Sequence, residues 1–199
     1  MRLFVAINFT EEVKDALCET IAELRDASLR GRYTHRENLH LTLVFIGESD
    51  DVDGILDVME DVAEGAFTSP LKIALSGAGV FGGRDGGRDG GRDGGCGGGR
   101  GGGLHWVGVE NTPGLGALAK GLAGGLRDAG FDIEKRRFTP HITIGREITL
   151  SLGAVINVHP AEMVADHISL MRSDRVDGRL VYTEVASVPC GQASQESQE

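Results

Sequence analysis

Two stretches of the chain alternate aliphatic and polar residues in the same way. They are residues 38–47, Asn-Leu-His-Leu-Thr-Leu-Val-Phe-Ile-Gly, and residues 138–146, Phe-Thr-Pro-His-Ile-Thr-Ile-Gly-Arg. Because side chains two apart in an extended strand point to the same face, each stretch predicts a strand with an imidazole and a hydroxyl on one face and aliphatic residues on the other. The polar pairs are His40 with Thr42 and His141 with Thr143. Two such strands, half a chain apart, predict a cleft in which the two histidines face each other.

Three other segments carry apolar residues three and four positions apart, which predicts amphipathic helices. They run from Thr10 to about Ser28, from Asp50 to Pro70 and from Pro113 to about Gly130. Thr10 followed by two glutamates, and a proline in the first turn, are typical of helix starts.

Further β-prone runs predict strands at residues 2–9, 71–81, 104–109, 163–172 and 180–188, with a turn at 175–178. The basic segment 29–36, which contains Gly31, predicts a loop. The resulting order predicts an α+β fold, and the helix that precedes each histidine strand suggests an internal duplication.

The composition of the chain changes abruptly at residues 82–103, which contain three tandem Gly-Arg-Asp-Gly units followed by a glycine run. Such a segment cannot bury apolar area, so we predict a flexible loop inserted at the tip of a hairpin. Each arginine of the units is followed by an aspartate that offsets its charge, which favours a passive loop over an RNA-binding segment. Residues 1–190 then form a single domain, and 191–199 are predicted to be a disordered tail.

The net charge of -10 argues against a generally basic surface for long nucleic acids, although a local anion pocket needs only a few inward donors.

Three widely spaced cysteines without a CxxC pair indicate reduced thiols and do not support a zinc site. No apolar run approaches the length of a membrane span, and the N-terminal segment is unlike a signal peptide. We therefore expect a cytoplasmic protein without membrane association.

Two opposed imidazoles suit the cleavage of a phosphodiester. A neutral histidine can take a proton from the attacking oxygen while a protonated one delivers a proton to the leaving oxygen, since the histidine pKa permits both states near neutrality. Threonine hydroxyls can donate to the non-bridging phosphate oxygens. This chemistry requires no metal and no cofactor.

The chain resembles the 2H phosphoesterases, and within them the RNA 2',3'-cyclic phosphodiesterases, also called 2'-5' RNA ligase-like proteins. The resemblance rests on residues 2–7, 37–48, 104–109, 136–146 and 170–173. It implies a bilobal, pseudo-symmetric α+β catalytic domain, with two antiparallel sheets facing across a central cleft and helices on the outer faces. It also implies hydrolysis of a 2',3'-cyclic phosphate to a 2'-phosphomonoester.

By that resemblance, His40 would be the general acid and His141 the general base that activates water. Thr42 and Thr143 would bind the phosphate, and Arg146 would add positive charge beside it. Nothing in the spacing decides which histidine is the acid, so that assignment stays open.

Outside these motifs the residues are less informative. Three of them are possible contacts at the substrate rim: Phe45, Arg136 and His35. Trp106 lies in an apolar strand, which favours a core position over a base-stacking platform. Three further histidines have no partner pattern and receive no role: His105, His159 and His167.

The expected substrates are RNA ends or small cyclic nucleotides, and the expected state is a monomer without an obligatory protein partner. Alternatives that share the same phosphate chemistry are RNA 2'-5' ligation and hydrolysis of a cyclic phosphate on a sugar nucleotide. A different class of alternative is an RNA- or nucleotide-binding module that keeps the cleft without turnover.

Overall fold

The computed structural model describes residues 1–66, 70–82 and 102–190. These residues form nine strands and three α-helices, with a short 3-10 helix at Arg36–Asn38. The strands are β1 (Arg2–Asn8), β2 (Ser28–Tyr33), β3 (His40–Glu48), β4 (Leu71–Phe81), β5 (Gly102–Val109), β6 (His141–Leu150), β7 (Glu162–Ala165), β8 (His167–Val176) and β9 (Arg179–Pro189). The helices are α1 (Glu11–Asp26), α2 (Val52–Ala66) and α3 (Pro113–Asp128).

The strands form two antiparallel sheets, and each sheet contains one of the two histidine strands. The four-stranded sheet has the order β3-β1-β8-β9, and the five-stranded sheet has the order β2-β6-β5-β4-β7. The helices pack their apolar stripes against the sheet faces that carry the buried aliphatic residues of β3 and β6. The opposite faces are left for the histidines, and the predicted α+β fold is confirmed.

The helices begin and end close to the predicted positions. In α1, Glu11 and Glu12 occupy the first turn, where their charge favours the helix dipole. In α3, the Thr112 hydroxyl accepts a hydrogen bond from the backbone N–H of Leu115 (3.3 Å), and Pro113 occupies the first turn. The apolar stripe of each helix joins one continuous core.

The sequence predictions were wrong in two places: one strand was predicted as a loop, and two strands were predicted as one. The predicted loop 29–36 contains β2, which pairs with β6 as an edge strand. A polar edge strand does not show the apolar alternation from which strands are recognised. The predicted single strand 163–172 is divided at Asp166 into β7, which pairs with β4, and β8, which pairs with β1. The chain thus passes from one sheet to the other at Asp166.

The strands on either side of the glycine tract pair as a hairpin, as predicted, with Phe81 opposite Leu104. The tract itself, apart from its ends, and the predicted disordered tail lie outside the described residues. In the part of the chain that the structure describes, no helix is long and apolar enough to cross a membrane.

Candidate active site

Both histidine strands depart from strict alternation at the same distance from the histidine. In β3 the pairing with β1 passes from Thr42 to Val44, so that Leu43 has no partner and both Leu43 and Val44 are buried. In β6 the pairing with β5 passes from Thr143 to Gly145, and Ile144 is the unpaired residue. Such a bulge inserts one residue and reverses the alternation beyond it. The fifth residue after each histidine therefore returns to the histidine face.

Those fifth residues are Phe45 in β3 and Arg146 in β6. Gly145 is the residue that allows the β6 bulge to pack, because a Cβ at this position would collide with the side chain of Ile148. Without the bulge, the alternation that begins at His141 would direct Arg146 to the core face. The bulge thus brings a guanidinium to the same face as the second imidazole and hydroxyl.

The two imidazoles are held by the same backbone contact. The Nδ1 atom of His40 lies 2.8 Å from the carbonyl oxygen of Asn38, and that of His141 lies 2.8 Å from the carbonyl oxygen of Thr139. A carbonyl oxygen can only accept, so each Nδ1 carries the proton and each Nε2 is the acceptor of the neutral ring. At His40, the Thr42 hydroxyl donates to that Nε2 atom across 3.0 Å.

Charged groups on the five-stranded sheet lower the pKa of the histidine on the four-stranded sheet. Burial lowers the pKa of His40 below its ordinary value, and the hydrogen bond to the Asn38 carbonyl opposes this shift. The charges of His141 and Arg146 lower the same pKa further. Burial likewise lowers the pKa of His141, and Arg136 and Arg146 add to the decrease. The two imidazoles and the Arg146 guanidinium therefore share one electrostatic neighbourhood.

Aromatic side chains surround both histidines and explain their desolvation. The ring of His40 lies 4.9 Å from that of Phe4 and 5.0 Å from that of Tyr182, centre to centre. The ring of His141 lies 5.1 Å from that of Phe81. Each imidazole thus has an apolar wall beside it, which disfavours its charged form.

Trp106 belongs to this wall, and its predicted core position was wrong. The core side of β5 is taken by Val107 and Val109, so Trp106 points to the opposite face. Its ring lies 5.2 Å from that of Phe81 and 6.4 Å from that of His141. Tyr182, Phe81 and Phe4 were not identified from the sequence, because their contacts with the histidines depend on the pairing of distant strands.

The three candidate rim residues occupy different positions. Phe45 is 40% exposed, and the guanidinium of Arg2 lies 4.9 Å from its ring centre. Arg136 is exposed and forms an ion pair with Glu134 (3.4 Å), yet its charge reaches His141. His35 is exposed at the start of the 3-10 helix, and among the described residues its ring makes no contact with either central histidine.

A polar network next to His40 was also not predicted from the sequence. Asn8 lies opposite His40 in the β1–β3 pairing, and its amide donates to the Ser169 hydroxyl (3.1 Å) and to the Glu184 carboxylate (3.0 Å). The fully buried Ser169 hydroxyl donates to the same carboxylate (2.6 Å). Asn8 is the one polar residue between Leu3 and Phe9, which is the signal of this network in the sequence.

In the described ranges, no group of three or more His, Cys, Asp or Glu side chains could hold a metal ion. The two histidine strands instead bring two imidazoles, two hydroxyls and a guanidinium to their histidine faces, which is a set of proton carriers and anion ligands.

Comparison with known proteins identifies the family. The model of the 2'-5' RNA ligase superfamily matches residues 13–177. The chain belongs to this superfamily. Among curated members, an RNA 2',3'-cyclic phosphodiesterase of Thermotoga maritima is 34% identical over 147 residues, which are 73% of this chain and 70% of the relative. One of Methanothermobacter thermautotrophicus is 27% identical over 195 residues, 93% and 96% of the two chains.

Solved structures of the superfamily fold agree with this membership. TT0787 of Thermus thermophilus superposes with a TM-score of 0.75 at 25% identity, over 95% of this chain and 97% of that one. E. coli LigT in complex with 3'-AMP superposes with a TM-score of 0.72 at 24% identity, over 96% and 98% of the two chains. The resemblance to the 2H phosphoesterases inferred from the motifs is thus confirmed.

Proposed function

We propose that this member of the superfamily hydrolyses RNA or nucleotide 2',3'-cyclic phosphates to 2'-phosphomonoesters by means of its two opposed histidines, without a metal. The observation that carries the proposal is the matched anchoring of the two rings. Each Nδ1 is bonded to a backbone carbonyl, which leaves each Nε2 to make the proton transfers. In the free protein the Nε2 atom of His40 accepts from the Thr42 hydroxyl. Curated relatives over most of the chain are named RNA 2',3'-cyclic phosphodiesterases, which supports the same reaction.

In the proposed reaction, the Nε2 atom of His141 accepts a proton from water as the water oxygen attacks phosphorus. The bond from phosphorus to the 3' oxygen breaks, and a protonated His40 donates its Nε2 proton to that oxygen. The products are a 2'-phosphate and a 3'-hydroxyl, and the two histidines end with exchanged protonation states. Transfer of one proton through solvent restores the starting state.

The remaining polar residues stabilise the charge that develops on the phosphate. Thr42 and Thr143 donate to the non-bridging oxygens, and Arg146 lies on the same face as the second pair. In the free protein Thr42 donates to the Nε2 atom of His40 (3.0 Å). Protonation of that nitrogen removes its acceptor lone pair, and the Thr42 hydroxyl is then free to turn to the phosphate.

Substrate binding itself supplies the acid. Burial lowers the pKa of both histidines in the free enzyme, so neutral rings predominate near pH 7. A phosphate anion between them raises the pKa of its neighbours, and one imidazole takes up a proton. A cyclic phosphodiester thus creates the protonated form that its own cleavage requires, and the rate should follow a bell-shaped profile between about pH 5 and 9.

The decisive experiment measures release of 2'-phosphate from a 2',3'-cyclic nucleotide in EDTA. His40→Ala and His141→Ala should each reduce kcat at least ~100-fold, because each removes one proton transfer. His159→Gln is the matched control, since this imidazole contacts Glu19 and Glu23 of α1 at 2.9 and 2.8 Å. Full activity in either alanine variant would exclude the two-histidine mechanism.

The same assay separates the alternatives. In ligation the 5'-hydroxyl of a second RNA end replaces water: its oxygen attacks phosphorus and the bond to the 3' oxygen breaks. The reaction would be detected as 2'-5'-joined product when RNA ends are supplied at high concentration. A panel that includes a sugar-nucleotide cyclic phosphate distinguishes that substrate from RNA ends. Binding of 2'-phosphorylated nucleotides without turnover at any pH would indicate a silent binding module. The cytoplasmic location and the monomeric state remain predictions.

A further inference from the structure

The edge strand β2 presents its two sides to different environments. Tyr33 points toward α1, where the Arg25 guanidinium lies 4.9 Å from its ring centre. A Cβ on Gly31 would lie 2.5 Å from the buried side chain of Ile148, so this position also faces the core. Because alternate residues of a strand point to opposite faces, Arg30 and Arg32 point away from the core.

Cross-strand contacts place these arginines on the cleft face. Arg32 lies opposite Arg146 in the β2–β6 pairing, and Arg30 lies opposite Thr149. The Arg30 Nε donates to the Thr149 hydroxyl (3.2 Å), and Arg32 forms an ion pair with Glu147. Directly opposite residues of an antiparallel pair share a face. Arg146, Arg32 and Arg30 therefore form a row on the face that carries His141, and we call it the arginine row.

The row leads away from the histidines along an open edge. Arg32 lies directly across from Arg146 on the neighbouring strand, about 5 Å away between Cα atoms. Arg30 follows two residues from Arg32 along β2, which is about 6.6 Å. That spacing is of the same order as the separation of successive phosphates in an extended single strand. The row begins at Arg146, whose charge acts on both histidines, and ends at Arg30 near the start of β2.

The charge of the whole chain makes this row distinctive. The formal net charge is -10, so an anionic polymer is repelled by most of the surface. Positive charge aligned beside the reaction site offsets that repulsion locally. Arginine is also the side chain whose planar donors fit phosphate oxygens in pairs. The Glu147 carboxylate contacts the row and occupies Arg32 in the free protein.

We propose that Arg32 and Arg30 bind internucleotide phosphates of the RNA strand that precedes the cyclic phosphate. This subsite rests on the proposed function and makes an oligonucleotide end, rather than a mononucleotide, the preferred substrate. The cyclic phosphate lies between the histidines, the strand follows β2, and each arginine meets one phosphate. Phosphate displaces Glu147 from Arg32 when the strand binds.

The test compares a pentaribonucleotide that ends in a 2',3'-cyclic phosphate with the corresponding mononucleotide. The wild type should show a higher kcat/KM for the pentamer, and in the double variant Arg30→Gln/Arg32→Gln the pentamer-to-mononucleotide ratio should fall about tenfold. Arg25→Gln is the control, because this arginine packs on the opposite side of β2. Glu147→Gln should raise the ratio about twofold by releasing Arg32; a fall would contradict the displacement of Glu147.

Binding measured without turnover separates this subsite from the proposed reaction. Fluorescence anisotropy with a labelled pentamer ending in a 2'-phosphate should show a weaker complex in the double variant. Its salt dependence should be shallower by about 0.7 per lost phosphate contact in a log–log plot. Unchanged binding and an unchanged ratio would overturn the subsite and leave the reaction standing. Weakened binding in a protein that hydrolyses neither substrate would support the subsite and exclude the reaction.

Discussion

At the scale of single residues, the charges around the histidines are unequal. Arg146 lowers the pKa of both His40 and His141, whereas Arg136 is among the charges that lower the pKa of His141 and not among those that act on His40. Two histidines with the same backbone anchor can therefore be distinguished by their response to one exposed arginine. This difference offers a direct way to assign the acid and the base.

Arg136→Gln should move one limb of the pH profile and leave the other in place. Removal of the Arg136 charge raises the pKa of His141, and the effect is largest at low ionic strength. If His141 is the base, the acid limb of kcat/KM moves to higher pH, because the base must be deprotonated.

The measurement is the pH dependence of kcat/KM at low and high salt, with Arg127→Gln at the end of α3 as the control. The shift should disappear at high salt, where exposed charges are screened. Movement of the alkaline limb alone would reverse the proposed roles and make His141 the acid.

At the scale of elements, the helix pair α2–α3 shows why α3 tolerates its glycines. A Cβ on Gly125 would lie 2.8 Å from the Val58 side chain of α2, and one on Gly121 would lie 3.0 Å from Val62. A Cβ on Gly124 would meet no atom within 4 Å. Glycine at the first two positions allows the helices to approach closely, whereas at Gly124 it costs helix stability without a packing gain.

Two alanine substitutions in this helix should therefore have different effects. Gly124→Ala should raise the free energy of unfolding by up to about 1 kcal/mol, the usual gain in a helix interior. Gly125→Ala should gain less or lose stability, because the same gain is opposed by overpacking against Val58. Urea unfolding of both variants checks this order, and an equal gain in both would contradict the close contact.

The elements also show where sequence reasoning succeeds. The amphipathic helices and the two histidine strands follow from periodicity, since their apolar residues join the core. β2 does not, because an exposed edge strand has no apolar alternation to reveal it. The face of Arg146 depends on the bulge at Ile144, and a bulge is set by pairing with a distant strand. Strict alternation would have placed Arg146 on the core face and so outside the site. The family resemblance included Arg146 in the site.

At the scale of the whole molecule, a buried imidazole contributes to the response to acid. His105 is 6% exposed, and within the described chain neither of its ring nitrogens has a hydrogen-bond partner. Burial lowers its pKa below the ordinary histidine value of 6.5. The unfolded chain therefore takes up this proton first as the pH falls, and stability decreases from about pH 6.5 downward.

His105→Leu should stabilise the protein, and more so at pH 5 than at pH 8. The substitution removes two unpaired buried nitrogens, which is worth about 1–3 kcal/mol at either pH. At pH 5 it also removes the cost of keeping this imidazole neutral. Urea unfolding at the two pH values measures the difference, and an equal gain at both would show that His105 does not contribute to acid sensitivity.

The bulge that occurs in both β3 and β6 affects how a ligand is oriented in the cleft. Two halves related by a pseudo-twofold axis would offer a cyclic phosphate two equivalent orientations, and a ligand bound in the reversed orientation would present the wrong oxygen to the acid. The bulges give corresponding positions to Phe45 and Arg146, one apolar and one cationic. This difference makes the two orientations unequal, although the bulges themselves lie at the same distance from each histidine.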